Sequence, residues 1–215
     1  MQTARSTRIR LGAAALGSAA FLLAVFPLIR PFFRLDIFEP ERTIAVASPV
    51  FASVAWVFSH YLALLGFVLL QVGLLALYAF HAGAEGEPRA LRGVAWGLPG
   101  VALILPALGV EVYTMPAIGQ LHLAGVTGLA PMITLTYRGP MTAVLLFGQL
   151  FLAVGMFNFA AAIRRGGRLP TRAGLVFAIG LALWLPMLPR PVRVVDGLLI
   201  GLGGIPLAWS MWHKA

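Results

Sequence analysis

The chain has 215 residues, 60% of them apolar and only 11% charged, with a mean hydropathy of +0.92. A soluble domain is nearer half apolar and a quarter charged, so this composition excludes a water-soluble globule, a disordered chain, collagen, a coiled coil and a disulfide scaffold, and leaves an integral membrane protein. The net charge of +9, from 16 Lys and Arg against 7 Asp and Glu, fits basic cytoplasmic loops and gives no reason to expect nucleic-acid binding.

Crossing a hydrocarbon core of about 30 Å takes about 20 apolar helical residues. In chain order six segments qualify: residues 11–29, 50–80 (best over 58–80), 91–113, 141–163, the short 173–188, and 194–212. The expected fold is one all-α membrane domain of six transmembrane helices. Arg5, Arg8 and Arg10 precede the first span, and Ala45-Val46-Ala47 looks like a signal-peptidase motif. About 15 mostly polar or charged residues separate that motif from the apolar stretch, so the first helix is expected to stay uncleaved. With the N-terminus inside, the inner segments carry ten basic residues and the outer ones six, Arg30, Arg34, Arg42, Arg138, Arg190 and Arg193. The expected location is therefore the cell membrane, with both termini cytoplasmic.

The second and fourth spans resemble each other. Gly66 and Gly73 recur as Gly148 and Gly155 at an offset of 82, together with Leu64, Leu70, Val72, Ala79 and Pro88. At an offset of 80, Arg92 maps to Arg172. The run Gly100–Leu108 maps to Gly180–Leu188, with six of nine positions identical. Spans two and three, and spans four and five, thus read as two repeated hairpins of the same orientation, related by an axis along the membrane normal. The pairs Gly93/Gly97, Gly197/Gly201 and Gly174/Ala178 suit close helix packing. Pro99, Pro106 and Pro186 are expected to kink or end their helices.

Ionisable groups inside spans are costly and mark candidate sites. At about 1.5 Å per residue, Glu111 lies about 30 Å beyond Leu91 and His60 about 30 Å before Phe80, so the two share a depth near the outer interface. Tyr61, Tyr113, His122, Arg138 and Asp196 fall near that level. In one interpretation His60 and Glu111 face each other in an outward-open pocket. In the other, the repeat places Arg190 beside Glu111, and a structural Glu111–Arg190 pair closes the outer end. Gln71, Gln149 and Asn158 lie deeper, where amides serve as interhelical glue or line a pathway. Trp96, Trp209, Trp212 and Tyr78 are expected as interfacial anchors, and Trp56 and Trp184 with them. His81 and His213 fall in cytoplasmic segments and carry no expected role.

The chain has no Cys, which removes disulfides, thiolate metal sites and a Cys nucleophile. It has no Gly-rich phosphate loop, no Gly-x-Ser-x-Gly and no His-Glu-x-x-His. No metal and no cofactor is expected; haem between His60 and His122 would have only two imidazoles on separate segments to rest on.

The stretch from His60 to Gly66, with Gly73–Tyr78, resembles a pattern in small uncharacterised bacterial multi-pass membrane proteins. There a His opens the second span, Leu-Tyr-Ala closes it, and a Glu followed by Pro ends the third; Glu111 and Pro116 fill the last two roles here. The resemblance covers about Trp56–Pro116 and implies a fold and a location, with no activity attached.

Three functions remain in view. The first is an accessory or interaction protein without chemistry, partnered by the bilayer, another membrane protein or its own copies. The second is a small-molecule or proton-coupled transporter, which needs Gln71, Gln149 and Asn158 to converge. The third is an outer-leaflet enzyme or cofactor binder using His60 and Glu111. Candidate binding residues are His60, Tyr61, Glu111, Tyr113, His122, Gln71, Gln149 and Asn158. The thin stock of polar groups leans away from an enzyme.

Overall fold

A computed structural model describes residues 2–33, 36, 38–185 and 188–215, with side chains from residue 6 onward. Among these the chain is helical and has no strand. In chain order the helices are α1 (Gln2–Ile29), α2 (Pro40–Phe51), α3 (Val54–His81), α4 (Glu87–Gly109), a π-helical segment (Val110–Thr114), α5 (Met115–Leu123), α6 (Ala130–Arg138), α7 (Pro140–Gly166), α8 (Thr171–Leu183) and α9 (Arg190–Lys214).

Five helical stretches, not six, are long and apolar enough to cross a membrane: Ser6–Ile29, Val54–His81, Glu87–Leu123, Ala130–Gly166 and Arg190–Lys214. The expected fifth span, 173–188, is the one that fails. Its helix α8 has only 13 residues, about 20 Å at 1.5 Å each. Leu185 precedes Pro186, and Pro189 and Pro191 follow; a residue before proline is pushed out of the α region, and prolines inside a helix lose a hydrogen bond and clash. Pro186 itself lies outside the described residues. Pro99 and Pro106, by contrast, sit inside a continuous α4.

The expected span 50–80 is also divided. Helix α2 ends at Phe51, and Ser53 starts α3 anew by accepting the Trp56 N–H at 3.2 Å, an N-cap bond.

Six helices form a closed ring. Helix α1 packs on α3 and on α9, α3 on α4, α4 on α7, α7 on α8, and α8 on α9. Leu16, Leu23, Phe67, Leu74, Leu152 and Phe177 are fully buried at its centre. The two 37-residue stretches, Glu87–Leu123 and Ala130–Gly166, are each about 55 Å long at the helical rise, well over a bilayer core of about 30 Å. Their surplus forms α5 and α6, which pack with α2 into a cap around a second core of Ile44, Phe51, Trp56, Met115, Ile118 and Ile133. The opposite, basic end carries both termini and the α3–α4 and α7–α8 turns. There Lys214 Nζ donates to the Arg168 carbonyl at 2.6 Å.

Lipid offers no hydrophobic drive for helix association, so close packing must hold the ring. Helices α4 and α7 approach closely. A Cβ on Gly100 would overlap the Leu152 backbone nitrogen, and one on Gly155 would lie 2.5 Å from the Gly97 nitrogen. Gly197 and Gly201 of α9 fit against Ala24 and Pro27 of α1. Gly100→Leu should therefore lower the melting temperature of the detergent-purified protein or abolish its monodisperse elution, with overpacking costing about 1–3 kcal/mol or more. Gly109→Ala, where no atom lies within 4 Å of the added carbon, should leave both unchanged.

Candidate functional site

The π segment has a cause in the sequence. Pro116 has no N–H, so in an α register the carbonyl four residues earlier would face a missing donor. The register instead widens, and the Met115 N–H bonds the Val110 carbonyl, five residues back. The Glu111 carbonyl then has neither usual partner. Met115 is already engaged, and the next residue is the proline. The indole N–H of Trp56 fills the gap, donating to the Glu111 carbonyl at 2.9 Å. A proline on one helix is thus answered by a tryptophan on another, and Glu111 is turned inward, 8% exposed.

Trp56 also organises its own helix. His60, one turn on, donates from Nδ1 to the Trp56 carbonyl at 2.8 Å, because that oxygen can only accept. Arg30 Nε, which can only donate, bonds His60 Nε2 at 3.3 Å. The two contacts together define the neutral Nδ1–H tautomer. The rings of Trp56 and His60 lie 4.2 Å apart, and the Arg30 guanidinium carbon sits 4.8 Å above the Trp56 ring. Burial lowers the Arg30 pKa from its ordinary value, and Glu111, then Tyr137, act against that shift.

The early end of α8 supplies the second half of the site. Carbonyls in a last helical turn lack partners within the helix. Gln149 of α7 donates its Nε2 to two of them, Leu181 at 2.6 Å and Ala182 at 3.0 Å. Beyond this cap the chain runs non-helical from Trp184 to Pro189 where described, and α9 begins at Arg190.

Between these two irregularities lies a cavity of about 290 Å³. Its polar lining is Arg30, His60, Glu111, Tyr137 and Arg190. Tyr137, on α6 of the cap, donates its hydroxyl to Glu111 Oε1 at 3.2 Å. Arg30 and Arg190 both face the Phe32 ring, at 5.2 and 5.1 Å. Behind the apolar wall lies an ion pair of two fully buried residues, Arg193 and Asp196, 3.7 Å apart one turn along α9. The Arg193 guanidinium lies against two adjoining rings, Trp184 at 4.9 Å and Phe26 at 5.3 Å, whose centroids are 6.3 Å apart. None of the charged atoms of the pair has a hydrogen-bond partner among the described residues.

His60 and Glu111 therefore both line this cavity, a meeting that their common depth allows but does not decide. The expected Glu111–Arg190 ion pair does not form. The ion pairs among the described residues are Arg42–Glu39 and Arg193–Asp196; Glu111 is taken by Tyr137, and Arg190 lies over Phe32. Tyr61 and Tyr113 meet edge to face at 6.0 Å but are exposed on the outer surface of the bundle. His122 is half-buried on α5, away from the cavity lining. The deeper amides do not converge. Gln149 caps α8, Asn158 Nδ2 donates to Val154 of its own helix at 2.8 Å, and Gln71 is half-buried on α3.

Trp56 and Trp184, expected as interfacial anchors, are instead fully buried, whereas Trp96, Trp209 and Trp212 are exposed. His81, given no expected role, is buried and bonds the Leu77 carbonyl. The sequence reasoning missed Arg30, Tyr137, Arg193 and Asp196 as site residues. For the last two a signal existed, an Arg and an Asp three apart on one face of an apolar helix. No family model, curated protein or solved structure matches the chain, so the resemblance to small bacterial multi-pass proteins finds no support there.

Two outcomes follow from this geometry. Trp56→Phe leaves the Glu111 carbonyl without a donor and should cost about 1–3 kcal/mol. The same substitution should cost clearly less in a Pro116→Ala background, where a backbone N–H is restored; thermal melts of the four proteins of the double-mutant cycle measure the coupling. Asp196→Asn leaves the Arg193 charge buried alone and should cost about 3–5 kcal/mol, whereas Arg193→Met combined with Asp196→Leu should recover most of that stability.

Proposed function

We propose that this is a multi-pass membrane protein that holds a small molecule in the cavity at its capped end, as a binder and not a catalyst. The observation that carries this is the convergence of His60, Glu111, Arg30, Arg190 and Tyr137, from five separate segments, on one cavity. An accessory protein without a ligand would need no such cluster, which is costly at membrane depth. Both ring nitrogens of His60 are already engaged, and Glu111 is held by Tyr137. That argues for positioning and recognition over proton transfer.

The basic end is proposed as cytoplasmic. Of the basic residues opposing that orientation, Arg193 is fully buried and Arg30 is turned into the cavity, so the charge asymmetry in the loops is larger than the residue count suggests. The cavity then sits at the depth of the outer leaflet. Apolar side chains such as Phe21, Leu65, Phe147 and Leu202 are exposed around the ring, where a bilayer would cover them.

Glycine packing favours the hairpin repeat. Gly66 and Gly73 of α3 fit against Leu23 and Leu16 of α1, and their counterparts Gly148 and Gly155 of α7 fit against Gly100 and Gly97 of α4. Each entering helix thus uses a glycine pair seven apart to approach the helix before it in the ring. The hairpins differ in their return helices, α4 and the shorter α8, and the cavity occupies that difference.

A chain without Cys makes single-Cys mapping clean. Arg168→Cys should be labelled by an impermeant maleimide only after the cells are opened, and Leu123→Cys in intact cells; labelling of both from one side overturns the orientation. Ala107→Cys, in the cavity wall, should react with the small neutral reagent methyl methanethiosulfonate in the folded protein. A thiol there that reacts only after unfolding overturns the binding role.

A further inference from the structure

Building on the cavity as a binding site, we infer that its occupant is a singly charged organic anion with an apolar body, the acid group lying between Arg30 and Arg190 and the body against Trp184.

Charge balance comes first. Among the described residues at this end of the ring, the groups in and behind the cavity are three guanidiniums, Arg30, Arg190 and Arg193, and two carboxylates, Glu111 and Asp196. Asp196 is committed to Arg193 at 3.7 Å, and Glu111 offsets Arg30. Arg190 is left over, and His60 in its neutral tautomer adds nothing. Arg190, exposed at the edge of the cavity, is a cation without a carboxylate partner among the described residues, and such a charge draws an anion to the cleft it lines.

Geometry agrees with the count. Arg30 and Arg190 both lie against the Phe32 ring, at 5.2 and 5.1 Å, and both line the cavity, so an acid group entering it meets two guanidiniums. Arg30 spends its Nε on His60, while its terminal nitrogens, and all of Arg190, have no hydrogen bond or ion pair to a described residue. These are the planar forks that suit a carboxylate or phosphate oxygen pair. The N-terminus of α9 faces the same space through Pro189 and Arg190, with no acidic residue in its first turn to offset it.

The rest of the lining sets the body of the ligand. Phe26, Leu108, Met141, Leu145 and Trp184 make up an apolar part of the lining. A volume of about 290 Å³ is at the small end of ligand sites, which run about 300–1,000 Å³. It suits a metabolite or a single-chain acid and is too small for a two-chain phospholipid.

Thiol chemistry at Ala107→Cys tests this with the full chain in detergent. Relative to their rates with free mercaptoethanol, the anionic sulfonatoethyl methanethiosulfonate should outpace the cationic trimethylammonium reagent by about ten-fold or more, the scale of local charge focusing in a cleft. The preference should vanish in Arg190→Gln and survive in Arg190→Lys; Arg190 is solvent-exposed, and an unchanged elution profile confirms folding. Octanoate should slow labelling where octylammonium does not. Protection by octanoate from water identifies a soluble anion, and protection only by oleate in the bilayer, with the protein reconstituted into vesicles, identifies a membrane-borne one. Absent or reversed charge preference, a preference unchanged in Arg190→Gln, or no protection by either acid overturns the inference. The neutral reagent keeps the outcomes separate: if it labels Ala107→Cys while the charge preference fails, the cavity stands and only the anion falls.

Discussion

The hydrogen bond from the Trp56 indole to the Glu111 carbonyl joins the two halves of this molecule. It exists because Pro116 withholds a donor from its own helix. An unsatisfied buried carbonyl costs about 1–3 kcal/mol, so the helix either breaks or borrows a donor. Here it borrows one from α3, and the loan fixes several things together. It sets the rotation of the π segment, and so the inward aim of Glu111. It pins the Trp56 ring, over which Arg30 lies, and His60 is bonded to the carbonyl of that same residue. It also ties α3 to the cap, since Trp56 belongs to the core shared by α2, α5 and α6. π segments recur at functional sites in other helices, and the physical content here is that one missing N–H orients three polar side chains.

The second constraint is the short α8. Non-helical backbone within a membrane is tolerated where it is buried in protein or lines a cavity, and the described residues between α8 and α9 line one through Trp184, Leu188 and Pro189. Gln149 makes the early stop tolerable by donating to the Leu181 and Ala182 carbonyls. The cavity is therefore the space left where one helix of the ring ends before its neighbours do, roofed by α6 and its Tyr137. Both irregularities trace to prolines, Pro116 in one case and the Pro186–Pro189–Pro191 run in the other.

Much of the ring was legible in the sequence, because hydropathy and helical rise are local quantities. Counting residues placed His60 and Glu111 at one depth, and both line the cavity. Hydropathy failed where it registers apolarity without registering helix: residues 173–188 are apolar enough to span, but α8 stops at Leu183. It failed likewise at 50–80, where Ser53 restarts a helix inside an apolar run. Charge counting treated Arg30 and Arg193 as loop residues because each sits at a span boundary. Sequence distance does not show that Arg30 folds back over Trp56, 26 positions away, or that Arg193 is buried against Phe26 and Trp184. Trp56 was misjudged for the same reason: its acceptor is 55 residues on.

The Arg193–Asp196 pair gives the cavity a fixed electrostatic background. Its members are one turn apart on α9, so their relative position is set by the helix and cannot relax when the cavity fills. At 3.7 Å without hydrogen bonds, the pair gains less than a bonded bridge would. The aromatic faces of Trp184 and Phe26 recover part of the difference through cation–π attraction, worth about 2 kcal/mol or more when desolvated. Those same two rings also line the cavity. A molecule entering the cavity therefore touches the rings that hold Arg193, while the charge itself stays out of reach. The wall is apolar to contact and backed by a pair of no net charge, so the positive field of the cavity comes from Arg30 and Arg190 in its lining, a combination that suits an apolar body carrying one negative charge better than either a neutral lipid or a hydrated inorganic ion.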